Sequence, residues 1–265
     1  MKLKVLVDNN TYIDEYYCGE PAVSYYIEDE ERKILFDTGY SDLFIKNAHA
    51  FGIPLDDLVF SHDHDDHTRG LKFFFDQIGD PNVEVIAHPD AFNEKTFGDL
   101  MICSPILTDE LSEKCKLILT SNPLKVSENI IFLGEIPQSN SFEQRKPIGH
   151  QSINNIKEVD FVLDDSALVY KCKDGIYIIT GCSHSGICNI IEYAKRVSNE
   201  ERVLGIIGGF HLFEVNEQLH GTIQYFKNNK IELMYPCHCT SFAVKAEIHK
   251  VIPVKEVGVG LELNW

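Results

Sequence analysis

The segment Ser61-His-Asp-His-Asp-Asp-His-Thr-Arg-Gly70 constrains this chain more than any other, because it places three histidines and three aspartates in positions 62 to 67. Such a run adds nothing to an apolar core, and its spacing has a chemical reading. His62 and His64 are two residues apart, so in extended backbone both imidazoles leave on one side and can grip one cation. Asp66 and His67 follow where the chain turns into an apolar helical pattern from Leu71. Adjacent side chains at a turn diverge enough to address a second cation. Imidazole suits zinc, iron or manganese, and a carboxylate hardens the site. Two ions about 3.5–4 Å apart would share and activate a water near neutral pH and brace a developing oxyanion. Asp63 and Asp65 read as solvent-facing residues or as supports for the ligands.

The pattern around this segment predicts alternating strands and helices. Lys2–Val7 and residues 22–27 are rich in β-branched and aromatic residues, and an acidic turn at 28–32 leads into a strand at 33–36. Helical spacing over 42–51 ends at Gly52, and residues 58–60 form a short buried strand running into the histidines. A helix over 71–78 and a strand over 83–87 follow. Residues from about 98 to 150 hold apolar strands (Lys116–Leu119 and 130–133) between prolines, and predict an insertion or lid packed over one end. The second half repeats the style of the first. A hairpin pairs 167–171 with 176–180, then come helix 186–197, strand 203–207, helix 216–228, strand 233–235 and helix 242–250. Two similar halves suggest two sheets face to face with helices outside, an α/β (α+β) arrangement in a single domain over 1–265.

Composition narrows the partners. Forty-one acids against 24 bases give a formal charge of -17, which repels phosphate backbones and anionic lipid. The expected partner is a small molecule, with no nucleic acid and no membrane. Nothing in the composition forbids a homo-oligomer. The first residues lack the apolar core of a secretory signal, and no run of 18 apolar residues occurs. The eight cysteines are scattered with no C-x-x-C pair, which predicts reduced thiols and a cytoplasmic location.

His62-x-His64-x-Asp66-His67 after an apolar strand resembles the signature of the metallo-β-lactamase-fold superfamily. Phe36-Asp37-Thr38-Gly39 resembles the segment whose Asp supports the histidine loop in that superfamily. Gly181-Cys-Ser-His-Ser-Gly186, Gly208-Gly-Phe-His-Leu212 and Pro236-Cys-His-Cys-Thr240 are similar to one subgroup. That subgroup includes dihydropterin-methyl-ribofuranosylaminobenzene-phosphate synthases, together with proteins of unassigned function. The resemblance implies a four-layer αββα sandwich with metals at one edge, between loops of both sheets.

His184 ends a strand, where ligands of such sandwiches gather, and His238 resembles the last metal-binding histidine of the superfamily. His211 is open between ligand, substrate contact and general acid; with Asp66 it is the expected catalytic pair. Asp37 is expected to accept a ring N–H or to hold the loop. His88 is a weaker pocket candidate, and His150 could reach from a lid. His49, His220 and His249 read as surface residues. One departure matters. Many members place a bridging aspartate where this chain has Cys182. Either Cys182 is a thiolate ligand, or the bridge is absent, or Asp164 or Asp165 substitutes. The Cys237-x-Cys239 pair lacks the second half a zinc knuckle needs.

Zinc, as two ions, is the expected cofactor, with iron or manganese as alternatives. Three functions compete. The first is a hydrolase that uses metal-activated water on a small, ester-like substrate, phosphorylated or not. The second is a synthase joining a pterin to an arylamine phosphate, for which Arg69, Arg145 and Lys146 are candidate phosphate contacts. The third is a non-catalytic metal protein. Flavin-partnered iron members of the superfamily usually carry an acid at the second histidine, and His64 is intact, which favours hydrolytic metals.

Overall fold

A computed structural model describes residues 1–153 and 155–265. Its first sheet runs in the order Glu262–Asn264, Lys2–Val7, Ser24–Asp29, Arg32–Phe36, Asp57–Val59, Glu84–Ala87 and Lys116–Leu119. The second runs Leu233–Pro236, Val203–Gly208, Gly175–Thr180, Ala167–Cys172, Ile130–Phe132 and Leu124–Lys125. Strands joined by helical crossovers pair in parallel: Arg32–Phe36 with Asp57–Val59, and Gly175–Thr180 with Val203–Gly208. The hairpins pair antiparallel. Val203–Gly208 is buried at every position, as its near-continuous apolar sequence requires of a strand covered on both faces.

Three apolar layers hold the sandwich. Val5, Tyr25 and Phe36 of the first sheet meet Phe132, Leu168 and Ile179 of the second. Phe44, Leu71, Phe74 and Leu111 pack the helices Leu43–Phe51, Leu71–Gln77 and Thr108–Lys114 on the outer face of the first sheet. Ile187, Ile191, Leu219, Phe226, Val244 and Ile248 do the same for Ile187–Ser198, Glu217–Asn228 and Phe242–His249 on the second. This is the αββα order. Each fully buried large side chain contributes about 1.5–3 kcal/mol, so the three layers can offset the cost of burying polar groups at one edge.

The predicted elements fall within one or two residues of the observed ones. Within the stretch expected to be an insertion, Lys116–Leu119 is the edge strand of the first sheet, whereas Leu124–Lys125 and Ile130–Phe132 extend the second. A separate four-stranded sheet, Ile156–Val159, His150–Ile153, Glu94–Phe97 and Leu100–Met101, draws its strands from the two ends of that stretch and the residues flanking it. No helix among the described residues is long and apolar enough to cross a membrane.

Topology gathers the chemistry. The loops after Lys2–Val7, Arg32–Phe36, Asp57–Val59, Gly175–Thr180, Val203–Gly208 and Leu233–Pro236 all emerge from carboxyl ends of strands, the place where α/β sheets bind ligands. Gly70 closes the histidine loop against the loop after Phe36: its N–H donates to the Gly39 carbonyl, and a Cβ there would lie 2.2 Å from the Thr38 carbonyl oxygen. Gly70→Ala is therefore expected to cost at least about 2 kcal/mol in urea unfolding and to loosen the loop; an unchanged midpoint would contradict this packing.

Candidate metal centre

The loop after Asp57–Val59 bends at Ser61, reaches His64 in extended backbone and then forms the short helix Asp65–Thr68. His62 and His64 share one side of the loop, and His62 Nε2 lies 3.1 Å from His64 Nδ1. Two nitrogens bound tetrahedrally at 2.0–2.1 Å would sit about 3.3–3.4 Å apart. The His184 ring meets both, with centroids 4.8 Å from each. The donor atoms of His62, His64 and His184 all lie within 4.8 Å of one another. Those of Asp66, His67, Cys182 and His238 form a second such set. The two sets abut, since the His62 and His67 rings are 4.2 Å apart.

These rings are oriented from behind. Asp37 accepts three hydrogen bonds, from Ser61 N at 2.7 Å, Ser61 Oγ at 2.7 Å and His67 Nδ1 at 2.7 Å. With its hydrogen committed to Asp37, Ser61 Oγ can accept from His62 Nδ1, 3.0 Å away. The Nε2 atoms of His62 and His67 are thereby left to face their sets. On the opposite side His238 is held by the loop after the first strand: Asn9 Oδ1 lies 3.1 Å from His238 Nδ1, and Asp8 accepts the His238 N–H at 3.2 Å. Asp66 Oδ2 lies 3.2 Å from His238 Nε2 and 3.7 Å from His67 Nε2, and Cys182 Sγ lies 3.2 Å from His67 Nε2.

The donor chemistry fits cations. His64 and His184 each leave a buried Nε2 without a hydrogen-bond partner, a costly state for a polar atom unless something binds it, and His238 Nε2 meets the Asp66 carboxylate. Burial, with the neighbouring imidazoles, pushes His62 and His184 far below the ordinary histidine value. Burial and Lys95 bring His64 to about 4. These rings are neutral at pH 7 and offer lone pairs. Burial also disfavours charge on His67, but Asp66 and Asp37 outweigh it and raise this ring to about 9. Burial acts to raise Asp66 too, yet His67 and His238 hold its carboxyl well below the usual range. Burial and the Cys239 thiol push Cys182 far up, so without a cation its sulfur is a thiol.

Four residues here adopt left-handed backbone: Asp37 (φ 60°), Ser183 (φ 61°), His211 (φ 48°) and His238 (φ 48°). Non-glycine residues hold that conformation only where their surroundings over-determine it, and such places cluster at sites.

His211 stands beside the first set, its ring 4.2 Å from that of His184, outside both donor sets. Burial and His238 bring it to about 4, so it is a neutral hydrogen-bonding ring at pH 7 rather than a charged acid. Asp63 is buried and accepts the N–H groups of Phe92 and Ser104; Asp65 is half-buried at the rim. Asp164 is taken by Lys95 Nζ at 2.7 Å and Asp63 N at 2.8 Å, and Asp165 by Ser185, which leaves neither in the donor sets. His88 is turned to Asp90 and Glu135, His150 is exposed on the small sheet, and His49, His220 and His249 are exposed on helices. Of the candidate phosphate contacts, Arg69 lies over Tyr40 and Arg145 donates to the Val162 and Ile136 carbonyls. Lys146 lines a chamber beside His184 and His211. Cys237 packs between the sheets against Tyr25, whereas Cys239 Sγ lies against the Cys182 carbonyl and accepts the His211 N–H.

Sequence reasoning missed Asn9, Ser61 and the buried Lys95. The polar run Asp8-Asn9-Asn10 at a strand end and the serine opening the cluster were the available signals; a lysine in a short strand carried none.

Residues 19–121 match the family model of the metallo-beta-lactamase superfamily. An uncharacterized protein of Methanocaldococcus jannaschii is 36% identical over 257 residues, covering 94% of this chain and 94% of that protein. The 7,8-dihydropterin-6-methyl-4-(beta-D-ribofuranosyl)-aminobenzene-5'-phosphate synthase of the same organism is 29% identical over 265 residues, covering 93% of this chain and 89% of that enzyme. A crystal structure described as a metal-dependent hydrolase of the beta-lactamase superfamily has a TM-score of 0.84 at 27% identity, covering 100% of this chain and 99% of its own. With its sandwich and its edge of imidazoles, this chain belongs to the metallo-beta-lactamase superfamily.

Two outcomes follow for metal uptake. A cation in the second set must displace the His67 proton, and the Cys182 proton where the sulfur binds, so affinity should rise with pH, by up to about tenfold per unit for each proton released. In the metal-free protein the same raised value stabilises the fold below the ordinary histidine range, and that contribution fades as pH rises through about 9. Calorimetric titrations in buffers of different ionisation enthalpy would count the proton, and pH-independent affinity would refute the coupling. Asp37→Ala should weaken metal affinity by about 10–100-fold, measured by competition with a chelator.

Proposed function

We propose that this chain is a metal-dependent hydrolase that binds two zinc ions, with iron or manganese as alternatives, and cleaves a small ester-like substrate in the cytoplasm. The observation that carries this reading is the pair of abutting donor sets, one of them made of the neutral rings of His62, His64 and His184, opening into a cleft of about 600 Å³. That volume suits a small molecule, since ligand pockets run to about 300–1,000 Å³.

His62, His64 and His184 would hold one ion; Asp66, His67 and His238, with Cys182 in the place of a bridging carboxylate, would hold the other. Zinc bound there would supply Lewis acidity and make water a nucleophile near neutral pH. The protein's own contribution is positional. Asp37 and Ser61 fix the rings of His67 and His62, and Asn9 fixes His238. Asp66 stays ionised and can accept a proton from the attacking water through its second oxygen. His211, neutral at the cleft wall, can hydrogen-bond the leaving oxygen or the developing oxyanion.

A second reading is favoured by the synthase relative of M. jannaschii. On that reading an arylamine phosphate attacks a pterin methyl carbon and pyrophosphate departs. Assaying the protein on phosphodiester, thioester and lactone panels, and separately on a pterin pyrophosphate with an arylamine phosphate, separates the two. Turnover only in the second assay would overturn the hydrolase reading. His64→Ala should lose at least one metal equivalent by mass spectrometry while staying soluble, and should lower turnover by at least about 100-fold. Unchanged metal content would refute the ligand assignment.

A further inference from the structure

The walls of the cleft differ in kind from its floor. The floor is made by the donor imidazoles, Asp66 and the Cys182 sulfur, whereas Pro21, Phe97, Ile102, Ile148 and Phe213 line the walls. Phe97 and Phe213 stand 60% and 55% exposed. Scattered apolar side chains on a surface need no explanation, but five around one cleft mark a place that an apolar ligand can cover.

These walls are tied to the loops that carry the donors. The Ile102 carbonyl accepts the Asp65 N–H at 3.1 Å, and the Ile102 N–H donates to the Lys95 carbonyl at 3.0 Å. A Cβ on Gly149 would lie 2.0 Å from the Thr96 carbonyl oxygen, so the segment carrying Ile148 runs directly against the strand carrying Phe97. Phe213 follows His211 by two residues and sets its ring against that imidazole, with centroids 4.8 Å apart at 78°.

Charge narrows the ligand further. Among the described residues the cleft is lined by no lysine and no arginine, and Asp65 stands at its rim. With a formal charge of -17 around it, the part of a ligand that lies away from the donor sets meets nothing that attracts a negative group. An uncharged chain gains instead from each methylene it removes from water against these walls.

We propose that the substrate is the ester of an unbranched, medium-length fatty acyl group, whose chain lies along Phe97, Ile102, Ile148 and Phe213 while its ester carbon stands over the donor sets. This rests on the hydrolase reading of the same cleft and adds its substrate class. Water adds across the acyl C–O bond: its hydroxide completes the carboxylic acid, and the alcohol oxygen leaves with the bonding pair and takes the proton.

Linear alkyl hydroxamates, whose head groups chelate metal ions, probe the chain subsite apart from turnover. Calorimetry on the zinc-loaded protein, with metal content measured on every sample, compares aceto-, butano-, hexano- and octanohydroxamate. Affinity should rise by about threefold per added methylene until the chain outruns the cleft, and by at least about 100-fold from the first to the last. Suberic acid monohydroxamate, the same chain ended by a carboxylate, should bind at least about tenfold more weakly than octanohydroxamate. Phe97→Ala and Phe213→Ala should each lower the octano-to-aceto affinity ratio by about tenfold, and Phe97→Leu should keep most of it. Both phenylalanines are exposed, so the variants should fold, with Phe97→Ser and Phe213→Ser as substitutes if one does not. On nitrophenyl esters of the same acids, kcat/KM should climb in parallel from acetate to octanoate. Equal affinity along the hydroxamate series, tighter binding of the carboxylate-ended chain, or an unchanged ratio in both alanine variants would each overturn the proposal. Affinity that climbs with chain length while no ester in the series turns over would leave the acyl subsite standing and strike the hydrolase reading instead.

Discussion

The Asp37 carboxylate is the joint on which this edge of the molecule turns. It is fully buried, a position that costs an ionised group several kcal/mol unless hydrogen bonds replace water. The three bonds it accepts come from the two ends of the histidine loop, Ser61 and His67. Through Ser61 it also sets His62. Without those bonds the loop would have no reason to hold imidazoles that gain nothing from the apolar core.

A second buried charge secures the same loop from the other side. Lys95, inaccessible to solvent, ion-pairs with Asp164, which accepts the Asp63 N–H. Asp63 in turn accepts N–H groups from Phe92 and Ser104. The small four-stranded sheet is tied to the histidine loop through this chain of polar contacts. Burial of Lys95 alone would be prohibitive, and its acidic partners outweigh that cost and hold it charged. The sheet that carries Phe97 on the cleft wall is therefore positioned by the residues that position His62 and His64.

Cys182 and Cys239 show how one superfamily scaffold accepts different donors. The thiol of Cys182 lies in the set with Asp66, His67 and His238, where a carboxylate would carry charge without needing to lose a proton. Cys239 sits behind it, and no side chain fits between, because a Cβ on Gly209 would lie 2.4 Å from Cys239 Sγ. The scaffold sets where donors converge, and the residue types at those points set the metal chemistry.

The spacing His62-x-His64-x-Asp66-His67 was enough to mark a candidate metal-binding loop, because that chemistry is local: four donor side chains fall within six positions. Strand and helix periodicities were likewise legible, since a two-sheet sandwich imposes them on nearly every element. His184, His211 and His238 were visible only as histidines after strands. Their convergence depends on parallel pairing, which brings the ends of strands more than a hundred residues from the loop to one edge. The burial of Lys95, the role of Asn9 and the parting of Cys237 from Cys239 were decided by tertiary structure alone. Each is set by which distant backbone lies against the residue, and local sequence carries no record of that.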